Sequence, residues 1–592
     1  MAASNLSTDQ LDDLENEKSD GGVRTQTRRQ SQKDSESSSG HDDSDIHPRD
    51  QEIQWKYLEF ETELPQPAHL SSRPQARRDD SRTQPPPPDP PDLKNYESPF
   101  LWSERRKSLM TWLSCIVTLF VAYNAAAYTS GVDQMMAEWN ISRVAALVGV
   151  TTFTAGFGVA PMFLAPFSEI NGRRPVFVAT GLLWVVFQIV CGVTPTFAGM
   201  LICRFLAGCA SSTFSTMVGG VVSDIYHAKD RNTAMTLFTS GALTGTGLGP
   251  LVSGFIAQHT TWRWIFYLQV IIDGFLMILI VFFFKETRGS VLLSRKAQKL
   301  NQYYDALEAA GYYGVVIDDE SANSSSSSSG GDPEKQQHQP QRSIIRMRWK
   351  VLADEERSSL ATMLKISLFR PITMLFTEPV VFFFSLWISF SWAVLYLSLA
   401  AVPLIFTSTY NFSQQQTGAV FSATCISSIL FTVVAIYQET WLTPHLPAHH
   451  QKIFETPEGR LYFACAESAL LPLGCIWFAV TGAYPQIPWI VPTLGLACAT
   501  IGIFSIYLAV FNYLADSYHR YASSALAAQS FCRNLMGGSF PLFTTQMFHT
   551  MTFQGAGGFL GGIGFLLTIV PWVLLLYGPK IRAKSRLARE II

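Results

Sequence analysis

Long apolar runs separated by short polar connections recur from about residue 109 to the end of the chain. Each run holds roughly 20 or more residues, the length that a helix needs to cross a hydrocarbon core of about 30 Å. The pattern therefore predicts an all-α integral membrane protein with twelve transmembrane helices. The predicted spans lie near residues 109–131, 144–166, 174–194, 197–222, 233–256, 262–284, 378–405, 417–437, 461–482, 488–512, 522–549 and 555–577.

Two polar blocks divide the chain. The first, rich in Ser, Asp, Gln, Arg and Pro, cannot bury enough apolar surface to offset its ordering entropy, so we expect a disordered tail. The second separates six spans from six, the layout of carriers that alternate access around a midplane site between two pseudo-symmetric bundles. The predicted units are a cytoplasmic tail (1–98), an N-terminal six-helix bundle (99–285), a cytoplasmic linker (286–370), a C-terminal six-helix bundle (371–579) and a basic cytoplasmic tail (580–592).

Positive charge is distributed unevenly between the two sets of loops. Lys and Arg residues occur in the loops on the side of the termini, whereas the opposite loops carry only Arg143 and Arg263. Cytoplasmic loops carry the excess of Lys and Arg, so we expect both termini in the cytoplasm. Two N-x-S sequons, at Asn140 and Asn411, fall in predicted outer loops and are candidates for glycosylation, which would make the chain a glycoprotein.

The composition excludes several chemistries. All nine cysteines fall inside predicted spans and none has CxxC spacing, which argues against a disulfide framework and a zinc site. The chain contains no Gly-Lys pair, hence no phosphate-binding P-loop, and it shows no nucleophile–base pair or metal-ligand cluster. We therefore expect no enzyme, cofactor or nucleic-acid partner, and any uphill transport would draw on an ion gradient.

Three motifs resemble a known family. Ser168-Glu-Ile-Asn-Gly-Arg-Arg-Pro175, between spans 2 and 3, resembles the cytoplasmic loop signature of the major facilitator superfamily in the form seen in fungal drug:proton antiporters. Arg204-Phe-Leu-Ala-Gly208 is similar to the second family motif. Gly245-Thr-Gly-Leu-Gly-Pro-Leu-Val-Ser-Gly254 is similar to the antiporter motif of span 5. The similarity extends over roughly residues 95–592.

The resemblance implies a function as well as a fold. It implies a carrier in the lipid bilayer of the plasma membrane that exports hydrophobic or amphipathic small molecules, such as drugs, toxins or secondary metabolites, in exchange for protons. The proton gradient would supply the energy, at about 2.3 kcal/mol per 100 mV plus about 1.4 kcal/mol per pH unit. We expect the carrier to work as a monomer.

Four charged residues inside the spans are candidates for proton coupling: Arg204, Asp273, Glu467 and Arg533. A charge at the bilayer centre costs about 2.5–3.5 kcal/mol on insertion scales, so each needs a partner or a wet cavity. The role of Arg204 is implied by the resemblance. A carboxylate in a low dielectric can take up and release a proton near neutral pH. The same carboxylates could instead bind a cationic substrate, and all four could be purely structural.

Two further groups are candidates for gating. The resemblance implies that the charged loop between spans 2 and 3 is a latch that Glu169 closes across the halves and that must break during the cycle; its other members are Gly172, Arg173 and Arg174. In span 5, Gly245 and Gly249 recur every four residues with Gly241, so they share one helix face, followed by Pro250 and Gly254. That face would seal the two halves against each other, or serve ordinary helix packing.

Polar and aromatic side chains amid apolar walls suit a cavity for amphipathic compounds. The candidates are Tyr123, Asn124 and Tyr128 in span 1, Gln269 in span 6, and Trp387, Trp392 and Tyr396 in span 7. Aromatic residues in spans also commonly face lipid or the bundle interior, which is the alternative for each of them.

Other functions remain open at this stage. The mid-membrane carboxylates would also suit a polyamine exporter of the same group. A proton-coupled importer of a nutrient would keep the fold and reverse the direction. A membrane receptor or scaffold that transports nothing would use the long polar tail as its working part.

Overall fold

A computed structural model describes residues 51–67, 86–216, 218–227, 230–318, 342–355, 360–445, 447, 454, 456–518 and 521–583. Ten of its helices are long and apolar enough to cross a membrane. They are Glu104–Trp139, Arg143–Asn171, Arg173–Val193, Phe197–Ile225, Arg263–Phe283, Pro379–Tyr410, Gln414–His445, Pro457–Thr481, Ile490–Tyr518 and Ala522–Arg582.

Two details turn these ten helices into the twelve spans that the sequence predicts. The helix Arg231–His259 lies in sequence between the fourth and fifth of them and is span 5. The 61-residue helix Ala522–Arg582 breaks at Thr552, whose φ of 63° and ψ of 167° are not helical. The Thr552 hydroxyl accepts a hydrogen bond from the N–H of Gly555 at 3.3 Å, as at a helix N-terminus. Residues 522–551 are therefore span 11 and residues 553–582 span 12, and the remaining helices are spans 1–4 and 6–10 in chain order.

Both halves of the chain have the same arrangement of six spans. The end that carries the start of span 1 and the end of span 12 is called the termini face here, and the opposite end is the far face. Span 5 packs along span 1 in the first half, and span 7 packs against spans 11 and 12 in the second. The two halves meet where span 5 contacts spans 8 and 10 and where span 2 contacts span 11.

The glycines of span 5 serve two different contacts. Added Cβ atoms at Gly241, Gly245 and Gly249 would lie 2.9, 2.0 and 2.8 Å from backbone carbonyl oxygens of span 1. This stripe therefore packs the first half internally, which corrects the prediction that it seals the two halves. Gly254 makes one of the contacts between the halves, because an added Cβ there would lie 3.1 Å from the Cα of Gly418 in span 8.

The two halves also touch at both faces. On the far face, the ring of His259 is hydrogen-bonded to the side-chain carbonyl of Gln415 at 2.9 Å. Toward the termini face, the Asn512 amide of span 10 bonds the Asn232 side chain of span 5. The two halves are thus in contact at both ends of the bundle.

Part of the predicted disordered tail is ordered on the linker. Strand β1 (Gln54–Tyr57) pairs in parallel with β4 (Met347–Lys350), and β2 (Val315–Asp318) pairs with β3 (Arg342–Ile345) in antiparallel fashion. Together with the helix Gly289–Ala309, these strands form the linker module. The prediction of a disordered tail is therefore wrong for residues 51–67 and 86–98, while residues 1–50 and the serine run 324–329 lie outside the described residues.

The linker module has a core of its own. The apolar face of the linker helix, including Leu300 and Tyr304, packs on Leu58 and Trp349, so this face is buried in protein. At one end, Glu308 accepts hydrogen bonds from Arg346. Burial alone would raise the pKa of Glu308, but hydrogen bonds from Arg346 and Arg348 outweigh burial and hold the pKa below its usual value.

Candidate transport site

Arg204 lies fully buried in the middle of the first half. Span 4 carries it, and Gly208 one turn later lets this helix approach span 2, since an added Cβ there would lie 2.1 Å from the carbonyl oxygen of Phe153. The Arg204 guanidinium lies over the rings of Tyr128 and Phe153, with its Cζ 4.6 and 4.4 Å from the ring centroids. Cation–π contacts contribute roughly 0.5–2 kcal/mol each, which offsets much of the cost of burying this charge.

Backbone carbonyls satisfy only part of this guanidinium. Arg204 Nε donates to the carbonyl of Gly149 at 3.2 Å and Nη1 donates to the carbonyl of Asn124 at 3.3 Å. Arg204 Nη2 has no hydrogen-bond partner. Gly149 also leaves room for Tyr128, because an added Cβ would lie within 2.3 Å of the Tyr128 hydroxyl.

Asn124 connects this arginine to a buried acid. The Asn124 side-chain Nδ2 donates to Asp273 Oδ2 at 2.7 Å, joining span 1 to span 6. Asp273 is fully buried, and its Oδ1 has no partner. The structure therefore brings together three of the predicted residues, Arg204, Asn124 and Asp273, in one network across spans 1, 4 and 6.

Arg533 lies in the corresponding middle region of the second half and is 1% exposed. Three aromatic rings surround its guanidinium: the Cζ lies 4.7 Å from the ring centroid of Trp392, 4.9 Å from that of Tyr507 and 5.7 Å from that of Phe511. We call this group the Arg533 ring cage. The Nε and Nη1 atoms of Arg533 have no hydrogen-bond partner, and no described carboxylate forms an ion pair with it.

Tyr396 is buried beside Trp392 in the same half. It is one helical turn after Trp392 in span 7, and the two ring centroids are 6.0 Å apart. Gly537 of span 11 gives the two rings room, because an added Cβ would lie 2.9 Å from Trp392. Trp392 and Tyr396 thus share a face of span 7 that packs on span 11.

Other predicted cavity residues are buried with unsatisfied polar atoms. The hydroxyl of Tyr123 and both side-chain polar atoms of Gln269 lack partners, as do both of Gln529, which the sequence analysis missed. Unpaired buried polar groups are costly and are expected where water or a ligand binds. Trp387 differs, because it is buried against Phe384 with ring centroids 6.0 Å apart and serves packing.

Glu467 is not in this central group. Its two oxygens accept hydrogen bonds from the Gln438 side chain and the Ser505 hydroxyl, both at 2.6 Å. It lines a cavity of about 300 Å³ toward the termini face, which Glu439 and Asn512 also line. The sequence-predicted residue is therefore placed in a side cavity whose polar groups already satisfy it.

The loop between spans 2 and 3 is held by acids that the sequence analysis did not select. Arg173 Nε donates to Asp224 Oδ2 at 2.7 Å, and the backbone N–H groups of Arg173 and Arg174 donate to Glu286 at 2.8 and 3.2 Å. Gly172 has a φ of 97°, and an added Cβ would lie 2.3 Å from Glu286. We call Arg173, Asp224 and Glu286 the first charge cluster.

The second half repeats this arrangement. Arg460 Nε donates to Asp516 at 3.0 Å, and Arg582 donates twice to Glu458, at 2.9 Å each. We call these four residues the second charge cluster. A repeat in the sequence could have revealed both clusters: Asp224-Ile-Tyr226 and Asp516-Ser-Tyr518 end spans 4 and 10, and Gly-Arg occurs at 172–173 and 459–460.

Glu169, the predicted latch across the halves, is half-buried near the end of span 2. Among the described residues, no hydrogen bond or ion pair is recorded for it. The partners of this loop, Asp224 and Glu286, belong to the same half. Glu169 as a latch therefore stays a prediction.

The two sequons occupy equivalent positions on the far face. Asn140 and Asn411 are exposed and left-handed, with φ of 50° and 54°, and each ends a span. Ser142 and Ser413, two residues later, cap the next helix by accepting backbone N–H bonds at 3.2 and 3.3 Å. Helix ends and caps thus account for the asparagine and the serine of each N-x-S pattern, and glycosylation at these positions stays a prediction.

Two bundles of six membrane helices around a buried polar centre define a multi-pass membrane transporter. A family model described as Major Facilitator Superfamily matches residues 114–541. The chain belongs to the major facilitator superfamily, whose members are transporters and not enzymes.

The similar proteins support this assignment. The chain is 31% identical over 84% of its length to a transporter of Penicillium rubens named "MFS-rype transporter paaT", and covers 83% of that protein. It is 29% identical to the multidrug transporter TPO1_2 of Candida glabrata, with 83% and 78% of the two chains covered. The structure of the proton:xylose symporter XylE has the same fold, with a TM-score of 0.53 at 16% identity over 80% of this chain and 97% of that one.

Proposed function

We propose that this chain exports hydrophobic or amphipathic small molecules across the plasma membrane in exchange for protons. The observation that carries the proposal is the buried network of Arg204, Asn124 and Asp273. The name of the TPO1_2 relative, a multidrug transporter, supports a small organic substrate, and that of another relative, the efflux pump FUBT of Fusarium oxysporum, supports outward movement. The excess of Lys and Arg in the loops of the termini face supports a cytoplasmic location of that face.

Asp273 is the proposed proton site. Its Oδ2 accepts the Asn124 hydrogen bond, and its Oδ1 is unpaired and buried, so a proton on Oδ1 would leave the existing bond intact. An ionised carboxylate only accepts hydrogen bonds, whereas the protonated form can also donate one. Because Asn124 also contacts Arg204 through its carbonyl, a change of charge at Asp273 is transmitted to the arginine.

The proposed movement is a rocking of the N-terminal bundle (99–285) against the C-terminal bundle (371–579). Opening toward the far face requires the contact of Gly254 with Gly418 and the bond of His259 with Gln415 to separate. Opening toward the termini face requires the Asn232–Asn512 bond to separate. All of these are small contacts, which suits an interface that breaks and reforms in each cycle.

Transport in inverted membrane vesicles tests the proposal. With an acidic lumen, an exporter accumulates a fluorescent amphipathic dye, and one pH unit supplies about 1.4 kcal/mol, enough for roughly a tenfold gradient. We expect Asp273→Asn to abolish accumulation driven by the pH gradient while dye exchange without a gradient persists.

The matched control is Asp133→Asn, because Asp133 is a carboxylate of the far face with a 66% exposed side chain that pairs with Arg143. This variant should transport like the unchanged protein. Undiminished gradient-driven accumulation by Asp273→Asn contradicts the proton site. Accumulation only in right-side-out vesicles with acid outside would instead identify an importer, and movement of spermine but not of the dye would identify a polyamine carrier.

A further inference from the structure

The centre of the bundle holds more positive than negative side chains. Arg204 and Arg533 are both fully buried, whereas Asp273 is the one acid in the network described above. The acid of the side cavity, Glu467, already accepts two hydrogen bonds. The buried centre therefore carries two guanidinium groups and one carboxyl group.

The geometry of Arg533 leaves its donors available. A cation–π contact attracts the charge of a guanidinium but gives its five N–H donors no hydrogen-bond acceptor. The Arg533 ring cage supplies three such rings, yet Nε and Nη1 have no acceptor. A buried polar group without a partner is expected to gain one from a ligand or water.

The rings also suit the rest of a ligand. Tyr507 stacks on Phe511 with centroids 4.5 Å apart, and Trp392 lies 5.4 Å from Tyr507. These apolar faces sit beside the unpaired donors, and Trp392 lies on span 7 whereas Tyr507 lies on span 10. A molecule with an aromatic body and an anionic head would contact both features.

We propose that the substrate carries a carboxylate or a similar anionic group and that Arg533, with its ring cage, binds this group. The inference rests on the proposed function, because it names the substrate class for the same central region. Arg is the side chain that pairs most specifically with carboxylates, and such charge-assisted bonds are strong in a low dielectric. An ammonium ion would instead meet two arginines of its own sign.

Binding of three matched probes tests the proposal without any gradient. The probes are 4-phenylbutanoate, 4-phenylbutanamide and 4-phenylbutan-1-amine, which share a carbon frame and differ in charge. The readout is the ligand-dependent rise in the melting temperature of the purified full-length protein, titrated to give an apparent Kd. We expect the acid to bind about 10- to 100-fold more tightly than the amide, and the amine most weakly.

Two substitutions locate the effect. Arg533→Gln should remove the preference for the acid over the amide, and Arg533→Lys should retain part of it because the charge remains. Arg263→Gln is the matched control, since Arg263 also lies over an indole ring, that of Trp262, but on the far face and paired with Glu138. This control should keep the full preference.

The outcomes separate this inference from the proposed function. The proposal is overturned if the acid binds no more tightly than the amide, including the case in which none of the three probes binds. It is also overturned if Arg533→Gln and Arg533→Lys both fold and keep the acid preference unchanged. Neither of these two outcomes would affect gradient-driven transport of neutral dyes. If gradient-driven transport is lost while the acid still binds more tightly than the amide, only the proposal of proton-coupled export is refuted.

Discussion

The two charge clusters have related sequences and different surroundings. In the first, the side chains of Arg173 and Asp224 are 6% and 8% exposed and lie 2.7 Å apart. In the second, Arg460 and Asp516 are 30% and 27% exposed and lie 3.0 Å apart. The same Arg–Asp ion pair is therefore buried in the first half of the chain and partly exposed to solvent in the second.

The glutamate of each cluster also binds a different kind of partner. Glu286 binds backbone N–H groups at the start of span 3, where a carboxylate also meets the positive end of the helix dipole. Glu458 binds the side chain of Arg582 at the end of span 12. A backbone N–H group cannot move away from its glutamate unless the helix unwinds. A side chain can move away by changing its rotamer. We infer that the first cluster is the more rigid and that the second, beside the 300 Å³ cavity, is the one that can rearrange.

The largest expected difference comes from removing the arginine of each pair. Arg173→Ala leaves Asp224 buried with two longer contacts, to the Thr287 hydroxyl at 3.4 Å and to Arg288 at 3.5 Å, and should cost about 3 kcal/mol of stability. Arg460→Ala breaks a partly exposed pair and should cost about 1 kcal/mol or less. Thermal denaturation in detergent measures both, and equal losses would contradict the distinction between a buried and a partly exposed ion pair.

A double-mutant cycle separates side-chain partners from backbone partners. Glu458→Gln and Arg582→Gln remove the two sides of one ion pair, so we expect a coupling energy of about 1–3 kcal/mol in denaturation. Glu286→Gln and Arg174→Gln should be additive within about 0.5 kcal/mol, because Glu286 binds the Arg174 backbone. Strong coupling in the second cycle would show that the Arg174 side chain also takes part.

The sequence was sufficient for the fold and for part of the centre. Apolar runs long enough to cross a bilayer mark all twelve spans, and even the break at Thr552 falls between two predicted runs. Arg204 and Asp273 could be found because a charge inside an apolar run is conspicuous. The linker module could not, since β1 has four exposed residues and pairs with a strand almost three hundred residues later.

The sequence also did not reveal which acidic residues pair with the arginines of the loops. Glu169 is nearer to Arg173 along the chain than Asp224 or Glu286, yet the two distant acids hold the loop. Spacing along a chain indicates which residues share a helix, but not which loops meet at the end of a bundle. Only the arrangement of spans 3, 4 and 6 brings these acids to the start of span 3.

Gly172 tests the rigidity of the first cluster. Its φ of 97° is strained for any residue with a side chain, and an added methyl would meet the Glu286 carboxylate, so Gly172→Ala should cost about 1–3 kcal/mol. Gly459, its counterpart, has no positive φ, so Gly459→Ala lacks the backbone strain and should cost less. Denaturation midpoints compare them, and a larger loss for Gly459→Ala would reverse the assignment of the rigid cluster.

The smallest expected effect distinguishes the halves at the far face. Ser142→Ala removes one cap bond and should cost about 1 kcal/mol. Ser413→Ala removes one such bond as well, but the backbone N–H of residue 413 still donates to the Gln416 side chain, so this substitution should cost somewhat less, about 0.5 kcal/mol. Thermal denaturation measures both losses.

Replacing the asparagine of each sequon by glycine is the control for the two serine caps. Asn140→Gly and Asn411→Gly destroy each sequon but keep the left-handed conformation, because glycine adopts a positive φ without strain. If the N-x-S pattern exists for helix capping, both variants keep their stability and their electrophoretic mobility in eukaryotic expression. A mobility shift in either would instead show that the asparagine carries a glycan, and the exposed loop ends of the two halves would then differ in chemistry as well as in geometry.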